Sequence, residues 1–321
     1  MRKSRLSASR IRLAVVLEAA RWRRRAERRL GYLDPCTAPW RRCAIDALRI
    51  GAIGDVLMCT PTLRELKRRH PDRQVRFYTN FPSLVRGLPY IDEVKPSAAA
   101  PFAAVPLEYE PGVPSSKHLA EVIASQVGVA LPDVRPDCVV DRAVVERLRA
   151  AWRNLPRPHV IVSRSCSEWT PNKNWPDGNW TRLIGRLTKF ASVIETGLSG
   201  ATDGAESGSR YIDLRGRTSL DELVAAIAAA DFYIGPVSAP LHIAAAVGTP
   251  AVVIVSGYEH PANTRYDGNV VLYTPVECSP CWLRTPCPNR LKCLNAILPE
   301  QVEAAALRLW AEIGGTAKAA E

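Results

Sequence analysis

A glycine-containing loop with one acidic residue is the first part of this sequence whose residue types could do chemistry. The loop, Gly51-Ala52-Ile53-Gly54-Asp55, follows a short predicted strand, Cys43–Ile50, and precedes a predicted helix, Val56–Arg69. Glycine allows a sharp turn and close approach of a ligand, and a helix N-terminus offers free N–H groups. Asp55 therefore has two interpretations: it caps the helix, or it is a general base toward an acceptor hydroxyl.

The residues on both sides of this loop carry a longer pattern. Arg49-Ile50 precedes it, and it is followed by Val56-Leu57-Met58-Cys59-Thr60-Pro61-Thr62-Leu63-Arg64 and Leu66-Lys67-Arg68-Arg69-His70-Pro71. This stretch resembles the start of the glycosyltransferase family 9 heptosyltransferases, and the resemblance continues in order from about residue 43 to about residue 312. It implies a GT-B fold and an inverting, metal-independent transfer from ADP-heptose, with Asp55 as the catalytic base.

A first segment of the second half resembles a donor-binding segment of that family. Ser163 and Ser165 follow a predicted strand, and Lys173 comes shortly before Trp175-Pro176. The resemblance implies that the two serines and the lysine contact the donor phosphates. Lys173 would neutralise the diphosphate as it leaves, a role that transfer without a metal requires of some other cation. The alternative is a solvated loop lysine.

A second segment, from Asp231 to Pro250, resembles the family's strand–loop–helix segment G-N-D-S/T-G-P-x-H-x-A-A-x-x-G-T-P. The resemblance implies that backbone N–H groups at the start of the helix face the diphosphate, as helix N-termini commonly face anions. These positions are Ser238, Ala239, Pro240 and Leu241. His242 is expected to point into the same site, although a single histidine on an apolar helix is usually only packed.

Three residues of this segment depart from the family's pattern. Pro236-Val237 stands where the family has Asn-Asp, and Ala239 stands where it has Gly. The family's Asp is expected to hold hydroxyls of the donor sugar, and the Val237 side chain cannot accept a hydrogen bond. Backbone N–H groups and Lys173 can still bind phosphate despite this change. A different donor sugar or weakened activity stays open as the consequence for sugar recognition.

Four cysteines lie close together near the end of the chain: Cys278, Cys281, Cys287 and Cys293. Four thiols are enough for a tetrahedral zinc or iron site. Their spacing differs from a zinc ribbon because the second pair is not C-x2-C. Many family 9 members carry a similar C-x-P-C segment, so the cluster strengthens the family resemblance. A structural zinc or iron, buried free thiols, and disulfides formed on oxidation stay open; no metal or other cofactor is expected for catalysis.

The elements that must position these residues alternate between strand and helix, which predicts parallel sheets joined by right-handed crossovers. Besides those already given, strands are predicted at Gln74–Thr79, Ile91–Val94, His159–Ser163, Ala191–Thr196, Phe232–Ile234 and Ala251–Val255. Helices are predicted near 116–127 and at Val144–Leu155, Asp177–Phe190, Ser219–Ala230, 239–247 and Gln301–Ile313, with a glycine-containing loop at Ser199–Gly208.

A Pro-rich hinge at Pro156-Arg157-Pro158 divides this alternation in two. We therefore predict an α/β protein of GT-B fold, with two Rossmann-like domains whose parallel sheets face a central cleft. Residues 1–42 form a basic N-terminal helical extension, 43–156 the acceptor-side domain, 157–298 the donor-binding domain, and 299–321 a C-terminal helix and tail.

The net charge of +11 is concentrated at the start of the chain. Residues 1–30 hold ten arginines and one lysine against two glutamates, a net +9, so the remaining 291 residues carry only +2. This argues against a nucleic-acid-binding surface spread over the fold. Residues 1–30 are predicted to be a basic helix that lies on an anionic membrane surface; a solvated extension or a misplaced start codon are the alternatives.

The apolar run in this helix is far too short to span a bilayer and makes a poor signal peptide. Nine cysteines, an odd number, without an export signal favour a reduced cytoplasmic compartment. The family resemblance implies a nucleotide-sugar donor and a lipopolysaccharide core or related surface glycan as acceptor. A protein heptosyltransferase of the autotransporter type, and a nucleotide-sugar-binding relative with altered donor or lost activity, are the alternatives.

Overall fold

The computed structural model describes residues 8–37, 44–166, 169–198 and 209–319. The chain divides into two compact units, Met1–Val139 (unit 1) and Val140–Glu321 (unit 2). The predicted loop at Ser199–Gly208 lies outside the described residues, as do residues 1–7 of the predicted N-terminal helix.

Unit 1 contains a four-stranded, all-parallel sheet in the order β3-β2-β1-β4. Its strands are β1 (Ala44–Arg49), β2 (Gln74–Thr79), β3 (Glu93–Pro96) and β4 (Val105–Pro106), and its helices are α1 (Ala8–Arg29), α2 (Ile53–Arg69) and α3 (Leu119–Gln126). The central strands β1 and β2 end in three consecutive buried residues each. The carboxyl end of β1 therefore delivers the chain from the interior directly into the loop at residues 51–55.

Unit 2 contains a six-stranded, all-parallel sheet in the order β10-β9-β8-β5-β6-β7. Its strands are β5 (His159–Ser163), β6 (Ser192–Thr196), β7 (Tyr211–Asp213), β8 (Phe232–Pro236), β9 (Ala251–Val255) and β10 (Val270–Tyr273). Its helices are α4 (Arg142–Trp152), α5 (Asp177–Leu187), α6 (Leu220–Ala229), α7 (Ala239–Val247), α8 (Lys292–Asn295) and α9 (Pro299–Ala319).

The core of unit 2 follows from the apolar composition of its central strands. Every residue of β5, β6, β8 and β9 is buried, as expected for a parallel sheet covered on both faces. One face packs with residues of α5 and α9 around Trp175 and Trp180, whose rings meet edge to face at 5.0 Å. Helix α6 packs against α4 and α7.

Most predicted elements are confirmed in position, and several begin and end at the predicted residues: Gln74–Thr79, His159–Ser163, Ala239–Val247 and Ala251–Val255. Helix α6 begins with a capping box formed by Ser219 and Glu222, and α7 ends at the left-handed Gly248. The predicted hinge at Pro156-Arg157-Pro158 does not mark the division between the two units. The division between the units falls between Val139 and Val140, because α4 packs against α6 and therefore belongs to unit 2.

The predicted N-terminal extension is packed against unit 1. In α1, Val16 is 1% exposed and Ala20 is fully buried. Val16 packs in a small apolar cluster with Leu48 of β1 and Tyr78 of β2. Within the part of the chain that the structure describes, no helix is long and apolar enough to cross a membrane.

His118 gives unit 1 an acid-sensitive element. It is 5% exposed and precedes α3, where its Nδ1 accepts the N–H of Ala120 at 3.1 Å. Burial lowers the pKa of His118 to about 4, against roughly 6.5 in an unfolded chain. Because the unfolded state binds the proton first, stability is retained above about pH 6.5 and is lost as the pH falls toward 4.

We expect the free energy of unfolding to fall by about 2 kcal/mol between pH 7 and pH 5 from this residue alone, measured by urea unfolding. The variant His118→Asn keeps a residue that can cap the helix but removes the titration. Its stability loss over the same interval should be smaller by that amount. Parallel pH profiles for the two proteins would contradict the assignment.

Candidate active site

The candidate site residues of unit 1 lie where β1 ends and α2 begins. The structure starts α2 at Ile53, earlier than predicted, because Asp55 folds back and its Oδ2 accepts the N–H of Ala52 at 2.8 Å. Asp55 thus performs the capping role that sequence reasoning offered as one interpretation. Its other oxygen, Oδ1, accepts the O–H of Tyr109 at 3.1 Å and lies 3.4 Å from Nη2 of Arg49. The Asp55 side chain is 18% exposed, so solvent and ligands can still reach it.

Arg49, the last residue of β1, is the buried centre of this arrangement at 1% exposure. Its guanidinium donates to both carboxylate oxygens of Glu110, at 2.9 and 2.8 Å, and to the carbonyl oxygen of Leu107 at 3.1 Å. It also lies over the ring of Tyr109, 4.9 Å from the ring centroid. Burial alone would lower the pKa of Arg49, but the hydrogen bond to Glu110 and the charge of Asp55 raise it.

The charge states of the surrounding groups follow from these contacts. Burial would raise the pKa of Glu110, but its hydrogen bonds with Arg49 lower it, so Glu110 is a carboxylate. Burial and the charge of Asp55 raise the pKa of Tyr109, so its phenol keeps the proton that it donates to Asp55. Arg49, Asp55 and Glu110 together carry a net charge of −1. Tyr109 and Arg49 fix the direction of the Asp55 carboxylate.

Gly51 is required by the position of the Asp55 side chain. A Cβ atom at residue 51 would lie 2.4 Å from Asp55 Oδ2, closer than real Cβ atoms come to other atoms. We expect Gly51→Ala to displace the carboxylate. In the general-base role expected for Asp55, that displacement should lower kcat by about 10-fold or more, because such a group must lie within reach of the acceptor hydroxyl. Steady-state kinetics would measure it. Gly178→Ala in α5 is the matched control, because a Cβ there meets nothing within 4 Å; equal losses in both variants would contradict the prediction.

The candidate site residues of unit 2 lie at the carboxyl ends of β5 and β8. Ser163 is buried, and its hydroxyl hydrogen-bonds the hydroxyl of Thr196 at 2.9 Å, so it is not directed outward. Ser165 is exposed. Lys173 is paired with Glu259, with 2.6 Å between Nζ and Oε1. Burial would lower the pKa of Lys173, but the charge of Glu259 raises it, so the ammonium keeps its charge.

The N-terminus of α7 offers fewer donors than predicted. Pro240 has no N–H, and the N–H of Leu241 donates to the carbonyl oxygen of Ser238 at 3.1 Å. The predicted set of four therefore reduces to the N–H groups of Ser238 and Ala239. The Ser238 hydroxyl turns back toward the carbonyl oxygen of Pro236 at 3.5 Å.

Cys166 brings the two predicted donor segments together. Its thiol lies 3.4 Å from the carbonyl oxygen of Val237 and 3.7 Å from that of Lys173, and its N–H donates to Asn174 at 2.9 Å. Burial raises the pKa of the Cys166 thiol to about 12, so it acts here as a neutral contact. The Lys173 loop and the N-terminus of α7 are thereby adjacent, as a phosphate-binding role requires.

His242 is buried in the interior of unit 2. Its Nδ1 hydrogen-bonds the hydroxyl of Tyr266 at 2.7 Å, and the two rings meet edge to face at 5.8 Å. Burial raises the pKa of Tyr266, so the phenol stays protonated. This is the packed histidine that sequence reasoning named as the usual case; a donor contact stays a prediction.

Three of the four clustered cysteines lie near one another: burial, and then the charges of Cys278 and Cys287, raise the pKa of the Cys281 thiol. Among the described residues, which include all four, no group of three or more His, Cys, Asp or Glu side chains could hold a metal ion. Cys293 is buried at the start of α8, whereas Cys278 is exposed. A structural zinc or iron, buried free thiols, and disulfides formed on oxidation therefore all stay open for this cluster.

The segment that carries these cysteines also supports the loop that holds Glu259. The N–H groups of Cys281 and Trp282 donate to the carbonyl oxygens of Gly257 and Tyr258, at 3.0 and 2.9 Å. The Tyr258 hydroxyl accepts the indole N–H of Trp169 at 3.0 Å, and Lys173 Nζ lies 5.5 Å from the Tyr258 ring centroid. The segment therefore positions two side chains that contact Lys173.

Sequence reasoning missed Arg49 and Tyr109 as partners of Asp55, Glu110 as the partner of Arg49, and Glu259 as the partner of Lys173. Arg49 stood at the edge of the glycine loop and could have been suspected there. Tyr109 and Glu110 lie in a Pro-rich stretch with no periodic pattern, and nothing in the sequence relates them to Asp55.

Two α/β units with all-parallel sheets, each with polar groups at the carboxyl ends of its strands, are the architecture of the GT-B fold. The chain belongs to glycosyltransferase family 9 (heptosyltransferase), whose profile matches residues 96–287, more than half of its length. The matched residues include both donor segments; Asp55 precedes them.

Comparison with individual proteins agrees with this assignment. Lipopolysaccharide heptosyltransferase 1 of Salmonella typhimurium (strain LT2) is 21% identical over 163 residues, 49% of this chain and 51% of that protein, so the matched region spans about half the length of this relative. A glycosyltransferase family 9 structure from Veillonella parvula DSM 2008 superimposes with a TM-score of 0.65 at 16% identity, over 88% of this chain and 99% of that one.

A third similar structure is that of the iron-containing, dodecameric heptosyltransferase TibC from enterotoxigenic E. coli H10407, solved with ADP-D-beta-D-heptose. Its TM-score is 0.64 at 18% identity, covering 85% of this chain and 77% of TibC. At these identities the structural likeness establishes the fold.

Proposed function

We propose that this protein is an inverting glycosyltransferase that moves heptose from ADP-heptose onto a lipopolysaccharide core or a related surface glycan. The observation that carries the proposal is the Asp55 carboxylate, which is partly exposed and oriented by Tyr109 and Arg49. Membership of a heptosyltransferase family supports the same reaction class.

Asp55 is the general base of the proposed reaction. Its carboxylate takes the proton from an acceptor hydroxyl while the hydroxyl oxygen attacks the anomeric carbon of the donor. The bond from that carbon to the diphosphate breaks, and a single displacement inverts the configuration. The net charge of −1 on Arg49, Asp55 and Glu110 complements the positive charge that develops on the sugar ring in such transfers.

The leaving nucleoside diphosphate carries the electron pair of the broken bond. The Lys173 ammonium and the N–H groups of Ser238 and Ala239 are placed to stabilise it, because a helix N-terminus and a cation both favour a developing negative charge. The exposed Ser165 and the buried His242 are further predicted contacts of the donor. These groups supply the positive charge for a transfer that needs no metal.

The donor sugar is the part of the proposal with a specific alternative. Val237 is 3% exposed and apolar, where the family segment carries an acidic residue expected to hold sugar hydroxyls. A nucleotide-sugar other than ADP-heptose, or a relative with weakened turnover, is favoured by this residue. We place the reaction in the cytoplasm at the inner face of the membrane, where residues 1–30 contact the surface that holds a lipid-linked acceptor; a protein acceptor is the alternative.

Thermal unfolding with a panel of nucleotide-sugars tests the donor. A ligand that binds only the native state at 100 times its Kd adds about 2.7 kcal/mol of stability. We expect ADP-heptose to raise the Tm more than ADP, UDP-glucose or GDP-mannose do. A larger rise with another sugar would replace heptose in the proposal, and no rise with any member would argue against the transferase reaction itself.

A further inference from the structure

Helix α1 has an inward face that fixes it to unit 1. Its buried residues, Val16, Ala20, Arg24 and Glu27, follow one another at intervals of four, four and three and so share one side of the helix. Their exposures range from 0 to 5%. A helix that buries both apolar and charged residues on one side is part of the unit's core.

Polar contacts set the rotation of α1 about its own axis. The Arg24 guanidinium donates to the carbonyl oxygens of Tyr32 and Gln126, at 2.8 and 3.1 Å, and to the Glu27 carboxylate at 3.2 Å. Arg21 donates to both carboxylate oxygens of Glu108, at 2.9 and 2.7 Å. Buried, multiply bonded charges are costly to separate, so the opposite side of α1 faces outward.

The outward side carries large apolar side chains among arginines. Ile11, Val15 and Trp22 are 52, 53 and 72% exposed, and their spacing of four and seven residues places them along one line opposite the buried face. The arginines that surround this line are exposed as well: Arg10, Arg12, Arg25 and Arg29. We name these seven residues the outer α1 surface.

We propose that the outer α1 surface binds an anionic lipid bilayer, with Trp22, Val15 and Ile11 among the headgroups and the four arginines on acidic phosphates. The positive charge of the arginines complements the negative charge of acidic lipid headgroups. An amphipathic helix with Arg on its polar side and Trp among its apolar residues is suited to lie in the plane of the membrane interface. Tryptophan favours that interface because its ring is apolar and its N–H is polar. The arginines extend their apolar stems along the same surface.

The outer α1 surface is linked to the Asp55 site by one short segment. Within residues 107–110, Glu108 holds Arg21 of α1, the next residue Tyr109 donates to Asp55, and Glu110 holds Arg49. Lipid binding by α1 therefore fixes the orientation of the Asp55 loop relative to the bilayer. This consequence rests on the proposed transfer to a lipid-linked acceptor, whereas lipid binding itself does not.

Co-sedimentation of the full-length protein with vesicles tests the inference. The probes are vesicles of phosphatidylcholine alone and of phosphatidylcholine with phosphatidylglycerol. We expect binding only to the second, about thirtyfold weaker partitioning for the double variant Arg25→Gln/Arg29→Gln, and about tenfold weaker for Trp22→Ala. High salt should release the protein from the vesicles.

Matched controls lie in unit 2. Arg147→Gln/Arg182→Gln removes two exposed arginines, and Leu198→Ala truncates a side chain that is 80% exposed; both should partition as the unchanged protein does. Equal binding to both vesicles, or equal losses in variants and controls, would overturn the inference. So would light scattering that shows Trp22→Ala converting a dimer to a monomer without changing vesicle binding, since the surface would then join two copies. Donor-induced changes in Tm, measured alongside, test the proposed function separately.

Discussion

Replacing Asp55 with asparagine is expected to lower kcat by about 10²–10⁴-fold and to leave donor binding unchanged. Asparagine has the shape of aspartate and can still accept the N–H of Ala52, which Asp55 accepts at 2.8 Å. It cannot take a proton from an acceptor hydroxyl. Steady-state kinetics and donor-induced changes in Tm together measure the two halves of this prediction.

Asp141→Asn is the matched control for that variant. Asp141 is also a carboxylate at a helix N-terminus, where it accepts the N–H groups of Ala143 and Val144 at 2.9 and 3.2 Å. It lies at the start of α4 and is not among the candidate site residues of either unit, so its variant should keep full turnover. If Asp55→Asn also keeps full turnover, Asp55 is a helix cap and another residue is the base.

Replacing Lys173 with methionine is expected to lower kcat/KM by about 10²–10³-fold and to abolish the rise in Tm with nucleoside diphosphate. Methionine keeps most of the side-chain length but removes the charge that stabilises the leaving group. The variant also leaves Glu259, which is 4% exposed, without the ammonium 2.6 Å away. Removing one partner of a buried ion pair costs about 3–5 kcal/mol, so the protein should also be less stable.

The double variant Lys173→Met/Glu259→Gln separates the two effects. Neutralising Glu259 removes the isolated buried charge, so most of the stability should return. Activity and diphosphate binding should not return, because the cation is still absent. A double variant that is stable and binds the donor as tightly as the unchanged protein would show that Lys173 is a structural partner of Glu259.

The sequence was sufficient to predict the elements that position the site. Alternating strands and helices predicted parallel sheets, and the apolar run at β5 and the Pro-flanked helix α7 were located to the residue. These predictions succeeded because local periodicity and turn residues decide such elements. The strands β4 and β7 were missed because two or three residues are too few to form a pattern. The strand β10 was also missed, although all four of its residues are apolar.

The partners of Asp55 could not be predicted in the same way. Tyr109 lies 54 residues from Asp55 in the chain, and Glu110 lies 61 residues from Arg49. Contacts between residues this far apart in the chain arise only in the folded structure, and no periodic pattern in the sequence indicates them. The docking of α1 was missed for a different reason: arginine usually indicates a solvated face, and here Arg24 is 5% exposed because three carbonyl oxygens and Glu27 surround it.

Acceptor-dependent release of nucleoside diphosphate is the most direct test of the central claim. The protein would be incubated with the nucleotide-sugar that raises its Tm most and with a lipid-linked core acceptor, and both products would be followed by mass spectrometry. We expect the acceptor to gain one sugar for each nucleoside diphosphate released, and Asp55→Asn to stop both. A donor that binds without any release, or release that is unchanged by Asp55→Asn, would contradict it.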